Sequence, residues 1–152
     1  MNSLGASYIK IIIFALLFII SLYDFLYYRI PNKILIPLSI IVIFEMIISK
    51  CTIQIYIHKF LVGIIFVLIL VVVKCLTKGG MGLGDIKLIF VTSLYFGLVK
   101  SYIALFIACF FGLLMILICK IFSKGISFKI PFAPFLSAGY FLIEVVCRIF
   151  KC

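Results

Sequence analysis

Long, continuous runs of apolar residues separated by short polar stretches dominate the chain. Within each run apolar residues follow one another and do not alternate with polar ones, which favours helices over the strands of a membrane barrel. The whole chain, residues 1–152, is predicted to form one all-α, polytopic membrane helix bundle. The pattern predicts about six transmembrane helices, at residues 8–28, 34–49, 60–76, 86–99, 101–122 and 131–150.

The stretch from Ile86 to Phe122 is too long for one crossing of a bilayer. As a straight helix, its 37 residues would extend about 55 Å, whereas the hydrocarbon core is about 30 Å thick. We therefore expect the chain to turn back in a hairpin between Gly97 and Ser101.

Composition and charge agree with a membrane protein. Hydrophobic residues make up 68% of the chain and charged residues 12%, which exceeds what a soluble core of this size needs. The formal net charge of +10 would also fit a nucleic-acid-binding protein. However, Lys and Arg stand singly or in pairs at the ends of apolar runs, as expected for contact with lipid headgroups. The bilayer is therefore the predicted partner, and nucleic acid is not.

The basic residues also indicate an orientation. The side of the bundle that carries the first, third and fifth predicted loops has eight Lys and Arg residues, against six on the other side. This small excess favours a cytoplasmic position for those three loops in a multi-pass protein of the cell membrane. The eight residues are Arg29, Lys33, Lys74, Lys78, Lys87, Lys120, Lys124 and Lys129.

The pattern of cysteine and histidine gives no metal-binding motif. The six cysteines include no C-x-x-C pair, and His58 is the single histidine. We therefore expect no bound metal or cofactor, no disulfide framework, and cysteines that serve as small buried hydrophobic residues.

Four acidic residues stand out, because acids are costly inside a membrane and need a partner or a function. Glu144 precedes Arg148 by four residues, which is the favourable spacing for a helical ion pair. Glu45 lies within the second predicted helix, toward the membrane face opposite to that of Asp24 and Asp85. Asp24 and Asp85 remain as the candidates for chemistry.

Asp24 lies near the end of the first predicted helix and Asp85 at the start of the fourth. Because the ends of odd helices and the starts of even helices share one face of the membrane, both aspartates are expected at the same surface. Two carboxylates in a partly dry site can share a proton and hydrolyse a peptide bond, as in aspartic proteases. The alternative is that they are ordinary topology residues, with Asp24 paired to Arg29 and Asp85 to Lys87.

Three alternating glycines, Gly80, Gly82 and Gly84, precede Asp85 in the sequence GMGLGDIK. Their spacing differs from that of a dinucleotide-binding loop, and no G-K-S/T of a phosphate-binding loop follows. Glycine lets the backbone turn sharply before a helix and approach an extended ligand closely. The stretch therefore predicts a loop that holds a substrate strand beside Asp85.

These residues resemble a known family. GMGLGD at 80–85 is similar to the G-x-G-D signature of the type IV prepilin peptidases, which are related in mechanism to the presenilin-type intramembrane aspartyl proteases. Asp24 with RIPN at 29–32 resembles the first catalytic aspartate of the family and its I-P-N segment. IPFAPFLSAG at 130–139 resembles a late P-F-G-P-F motif, with Ala133 where glycine is usual. The motifs occur in the order that the family has.

The resemblance implies that Asp24 and Asp85 are the catalytic pair of a peptidase. Its substrates would be prepilins or pilin-like pseudopilins, cleaved at the cytoplasmic face after a glycine that precedes their hydrophobic segment. The chain lacks the four-cysteine motif of many members, so it resembles the short, peptidase-only form, and methylation of the product is in doubt. Supporting loop or substrate-groove residues would be Gly80, Gly82, Gly84, Lys87, Arg29, Pro31, Asn32, Lys129, Pro131 and Pro134.

Several of these residues also have structural interpretations. Pro31 is expected to end the first helix and Asn32 to cap the second. Pro131 and Pro134 suit the first turn of the sixth helix. Two other functions stay open: a small proton-coupled transporter, whose acids should lie near the membrane midplane, and a non-catalytic membrane scaffold.

Overall fold

The computed structural model describes residues 3–49, 53–76, 82–122 and 131–150. The all-α prediction is confirmed. The elements are α1 (Ser3–Tyr27), α2 (Asn32–Ile48), α3 (Ile53–Leu76), α4 (Leu83–Phe122) and α5 (Ala133–Phe150). All of these except α2, which has 17 residues, are long and apolar enough to cross a membrane.

The described residues form five helical elements and not the predicted six, because the fourth and fifth predicted helices join at Gly97 within α4. Gly97 interrupts α4 with a φ of 77°, a left-handed conformation that glycine adopts without steric cost. The Tyr140 hydroxyl lies 3.0 Å from Thr92 Oγ1 and 3.1 Å from Ser101 Oγ. In a straight helix those two positions would be about 13.5 Å apart. The chain therefore bends sharply at Gly97, the first residue of the predicted turn, without a loop.

The helix α4 packs against three of the other four helices. These are α2, α3 and α5, while α1 packs against α2 and α5. Many large apolar side chains remain exposed on the outer faces, as expected where lipid takes the place of water. The buried core takes residues from every helix, among them Leu17, Leu38, Phe66, Ile89 and Leu136.

The prediction that the cysteines are buried is not confirmed for the three whose side chains the structure describes. Cys51, Cys119 and Cys152 are outside that set. Cys75 and Cys109 are exposed on the outer helix faces, and Cys147 is half-buried. Because helices in lipid are apolar on both their inner and outer faces, hydrophobic character does not identify the buried side.

One end of the bundle carries a cluster of lysines around a glutamate. Glu144 accepts hydrogen bonds from Lys10 and from Lys100, the latter at 3.0 Å. The predicted pair of Glu144 with Arg148 is therefore wrong. Lys59 lies at the same end, with its Nζ 3.4 Å from the carbonyl oxygen of Tyr95, just before the bend. We call this the lysine end.

Candidate active site

Asp24 lies in the last turn of α1 and is only 4% exposed. Its Oδ2 atom accepts a hydrogen bond of 3.0 Å from the backbone N–H of Ala133, and the backbone of Phe132 lies near it. Ala133 is the first residue of α5, and the first N–H groups of a helix have no partner within it. The Asp24 carboxylate therefore caps α5, where the helix dipole favours a negative group.

The sequence did not reveal that the backbone N–H groups at the start of α5, those of Phe132 and Ala133, lie at Asp24. Pro134 is the second residue of α5, as predicted for a helix start, whereas Pro131 lies just before the helix. A proline in a first turn does indicate free N–H groups nearby. Nothing in the sequence, however, says which acid they bind.

Asp85 lies half-buried in the first turn of α4. The backbone of Gly82 lies close to its carboxylate, since a Cβ atom at Gly82 would lie 3.0 Å from Asp85 Oδ2. The carboxylate therefore folds back over the amino end of its own helix. It is also close enough to the Asp24 carboxylate for the two charges to interact. We call this the aspartate end.

Neither aspartate has a cationic partner within the described ranges. The ion pairs found in that part of the chain join Lys10 and Lys100 to Glu144. Arg29 and Lys87 are exposed, so the alternative in which they neutralise Asp24 and Asp85 is not found. Asp24 instead accepts a hydrogen bond from the backbone N–H of Ala133, and the backbone of Gly82 lies close to Asp85.

Lys87, two residues after Asp85, contacts the side chain of Asn32. Lys87 Nζ lies 3.5 Å from Asn32 Oδ1, which links the start of α2 to the start of α4. Asn32 is the first residue of α2, and no side chain caps that helix. The prediction that Asn32 is a helix cap is therefore wrong, because its side chain is directed to a neighbouring helix.

The connection between α1 and α2 directly follows the last turn of α1, which carries Asp24. Tyr28 adopts a φ of 53°, which is uncommon for a residue with a side chain, and its N–H donates to the carbonyl of Asp24 at 2.8 Å. This left-handed residue ends α1. Pro31, predicted to end α1, instead directly precedes α2. Arg29 lies between them, exposed to the surroundings.

Close packing explains why glycine stands at position 84, directly before Asp85. A Cβ atom at Gly84 would lie 2.9 Å from the Cβ of Ile30, a distance that real side chains avoid. Glycine at 84 therefore lets the start of α4 approach the α1–α2 connection. Gly80 and Lys129, two further residues predicted to support the site, lie outside the described residues.

Taken together, fold and site define a multi-pass α-helical membrane protein with two interacting carboxylates at one end of its bundle. The sequence profile of the type IV leader peptidase family matches residues 11–117. The chain belongs to this family. The matched region includes both aspartates and ends before α5. A search of curated proteins and a search of solved structures found no match.

Proposed function

We propose that the chain is an aspartyl endopeptidase that removes the leader peptide from prepilins or pilin-like pseudopilins. The observation that carries this proposal is the meeting of Asp24, from the end of α1, with Asp85, from the start of α4, without a described ammonium or guanidinium partner. Membership of the leader peptidase family supports peptide hydrolysis as the reaction.

In the proposed reaction the two carboxylates act as general base and general acid. One takes a proton from a water molecule, whose oxygen attacks the carbonyl carbon of the scissile bond. The other, protonated, donates a hydrogen bond to the carbonyl oxygen and then gives its proton to the leaving nitrogen. The C–N bond breaks, and the products are a carboxylic acid and an amine.

The backbone contacts give each carboxylate a fixed position for this reaction. The N–H of Ala133 orients Asp24, and the backbone of Gly82 lies close to Asp85. These groups lie at helix starts and do not need to rearrange during turnover. Such fixed dipoles contribute most when they are in place before the reaction.

We place the reaction at the cytoplasmic face of the cell membrane. The basic residues Arg29, Lys33, Lys74 and Lys87 lie in or beside the connections at the aspartate end, and an excess of Lys and Arg marks the cytoplasmic side. In this arrangement the leader remains in water, while the hydrophobic segment of the substrate stays in the bilayer.

A proton-coupled transporter is the alternative function. A carrier would hold its acids near the bilayer midplane, where the transported ion is bound. Asp24 is in the last turn of one helix and Asp85 in the first turn of another, which is the position expected for a substrate that reaches the site from water. Family membership also favours the peptidase.

Co-expression of the chain with a prepilin tests the proposal. Loss of the leader is followed by the size of the product on a gel, and its new terminus is identified by amino-terminal sequencing. Asp24→Asn and Asp85→Asn should each leave the precursor intact, while Glu144→Gln, at the lysine end, should still process it. Processing that persists in both well-expressed aspartate variants would reject the proposed catalytic pair.

A further inference from the structure

A lengthwise groove opens between α2 and α3. Both helices pack on α4, but they have no extensive packing against each other. They touch at the lysine end, where the Tyr56 hydroxyl donates to the carbonyl of Met46. Toward the aspartate end they leave a groove of about 520 Å³, with the first half of α4 as its floor. We call this the α2/α3 groove.

The α2/α3 groove begins at the residue that follows Asp85 on α4. Its floor runs from Ile86, the residue after Asp85, to Leu94, a distance of about 12 Å along the helix. Its lining is apolar except for Ser39 and Lys87. Because Lys87 is exposed and lies two residues after Asp85 in the first turns of α4, the charged end of the groove is at the aspartate end of the bundle.

The nature of the lining restricts what can occupy the groove. A polypeptide at membrane depth must satisfy its backbone hydrogen bonds internally, so it enters lipid as a helix. A floor of more than two helical turns, with apolar walls on both sides, fits one apolar face of such a helix. The lining provides almost no groups for a polar ligand.

The two aspartates differ in how much of their surface is exposed. Asp24 is covered by the start of α5, through its hydrogen bond from Ala133, whereas Asp85 keeps part of its surface exposed. A second furrow, of about 470 Å³, lies along α1 and α5 and includes Phe18. Those two helices pack directly against each other, so the furrow is closed at its base.

We infer that the α2/α3 groove holds the apolar helix of the substrate that follows the scissile bond. This inference rests on the proposed function, since it assumes that the scissile bond lies at Asp24 and Asp85. The substrate chain then passes from the aspartates past Ile86 into the bilayer along the floor of the groove. α2 and α3 become the elements that select substrates by the shape of their apolar segment.

Site-specific photo-crosslinking tests the inference. Benzoylphenylalanine is placed at Ile43, which lines the groove, at Ile40, three residues away on the same helix, or at Phe18 in the α1/α5 furrow. Ile43 and Ile40 are a matched pair, because they are 51% and 60% exposed. Each is combined with Asp85→Asn, so that an intact pilin-like precursor accumulates in the membrane. We expect the precursor to crosslink at Ile43 and not at Ile40 or Phe18.

A second variant tests the groove through activity. Ser39→Phe should fill the groove and raise KM for the precursor about tenfold, which corresponds to about 1.4 kcal/mol of binding energy, with kcat unchanged. Ile40→Phe places the same side chain outside the groove and should leave KM unchanged.

The outcomes separate the inference from the function on which it rests. Crosslinks at Phe18 or Ile40, or crosslinks from Ile43 only to lipid or to a second copy of the chain, would overturn the groove while aspartate-dependent cleavage still supported the proposed function. If the chain with both aspartates cleaves no precursor, or if cleavage does not need them, the proposed function itself fails.

Discussion

Glu144 at the lysine end and the two aspartates at the other end have opposite surroundings. At the lysine end Glu144 is held by two ammonium groups, those of Lys10 and Lys100. At the aspartate end Asp24 and Asp85 interact with each other, Asp24 accepts a backbone hydrogen bond, and no Lys or Arg of the described ranges pairs with them. A carboxylate that is fully paired has a structural role. Two carboxylates that meet without a cation keep the ability to take up and release a proton, so the surroundings, and not the residue type, distinguish the two roles.

The largest expected effect comes from removing one carboxylate at the aspartate end. Asp24→Asn or Asp85→Asn should lower the rate of leader removal by roughly 10²- to 10⁴-fold, because the general acid or general base is lost. The measurement is a time course of precursor processing in membranes that contain equal amounts of each variant. An equal loss in Glu144→Gln would contradict the difference between the two ends.

A smaller loss should follow from removing one backbone donor to Asp24. Ala133→Pro deletes the N–H that bonds to Asp24 Oδ2, while proline is tolerated in the first turn of a helix. Since a hydrogen bond to a charged group contributes about 1.5–3 kcal/mol, we expect kcat to fall by roughly 10- to 100-fold.

The control for this variant is Ala133→Val, which adds similar bulk at this buried position but keeps the N–H group. Both proteins are compared by steady-state cleavage of the same precursor. If the valine variant loses as much activity as the proline variant, bulk and not the missing donor is responsible.

The next largest effect, on stability, is expected from overpacking at Gly84, the residue before Asp85. Gly84→Ala would bring a Cβ atom to 2.9 Å from that of Ile30, and overpacking of this kind typically costs about 1–3 kcal/mol of folding free energy. Gly112→Ala is the matched control, because no atom lies within 4 Å of its added Cβ. Thermal unfolding in detergent should show a lower midpoint only for Gly84→Ala.

A double variant sharpens this test. Truncating Ile30 to alanine in the Gly84→Ala background removes the atoms nearest to the new methyl group beyond the Cβ, so part of the lost stability should return. Additive losses in the two single variants would show that the contact is not the cause.

The smallest expected effect concerns the lysine end. Glu144→Gln removes the charge that Lys10 and Lys100 share, but their side chains are 42% and 33% exposed. Because solvent screens such pairs, we expect a loss of only about 1 kcal/mol or less in unfolding free energy, with cleavage unchanged. A double-mutant cycle with Lys100→Met measures the coupling, and a cycle energy of zero would mean that the ion pair does not stabilise the bundle.

The pattern of apolar runs predicted most of the fold, for physical reasons that are local. A run long enough to span lipid has to be helical, and all six predicted spans have counterparts in α1, α2, α3, α5 and the two halves of α4, with the bend at Gly97 in the predicted place. The number of helices differed because a single glycine with positive φ can redirect a helix without a loop. The length of an apolar run does not show whether two helices are joined by a loop or by a bend at a single glycine.

The partners of the acids were predicted less well. Spacing along one helix paired Glu144 with Arg148, but the partners come from α1 and α4, which lie far away in sequence. Similarly, Asn32 contacts Lys87 on another helix instead of capping its own. Side-chain pairs between helices depend on how the helices are rotated about their axes, and a sequence that is apolar on every face does not specify that rotation.

The sequence by itself determined that the chain is a membrane helix bundle, and that Asp24 and Asp85 share one end of it, because each membrane crossing reverses the chain. The order of its motifs also indicated the family to which it belongs. Only the tertiary structure decided that the start of α5 binds Asp24 and that no described cation pairs with either aspartate. It also decided that a groove opens beside Asp85, since these features depend on the packing of helices that are distant in sequence.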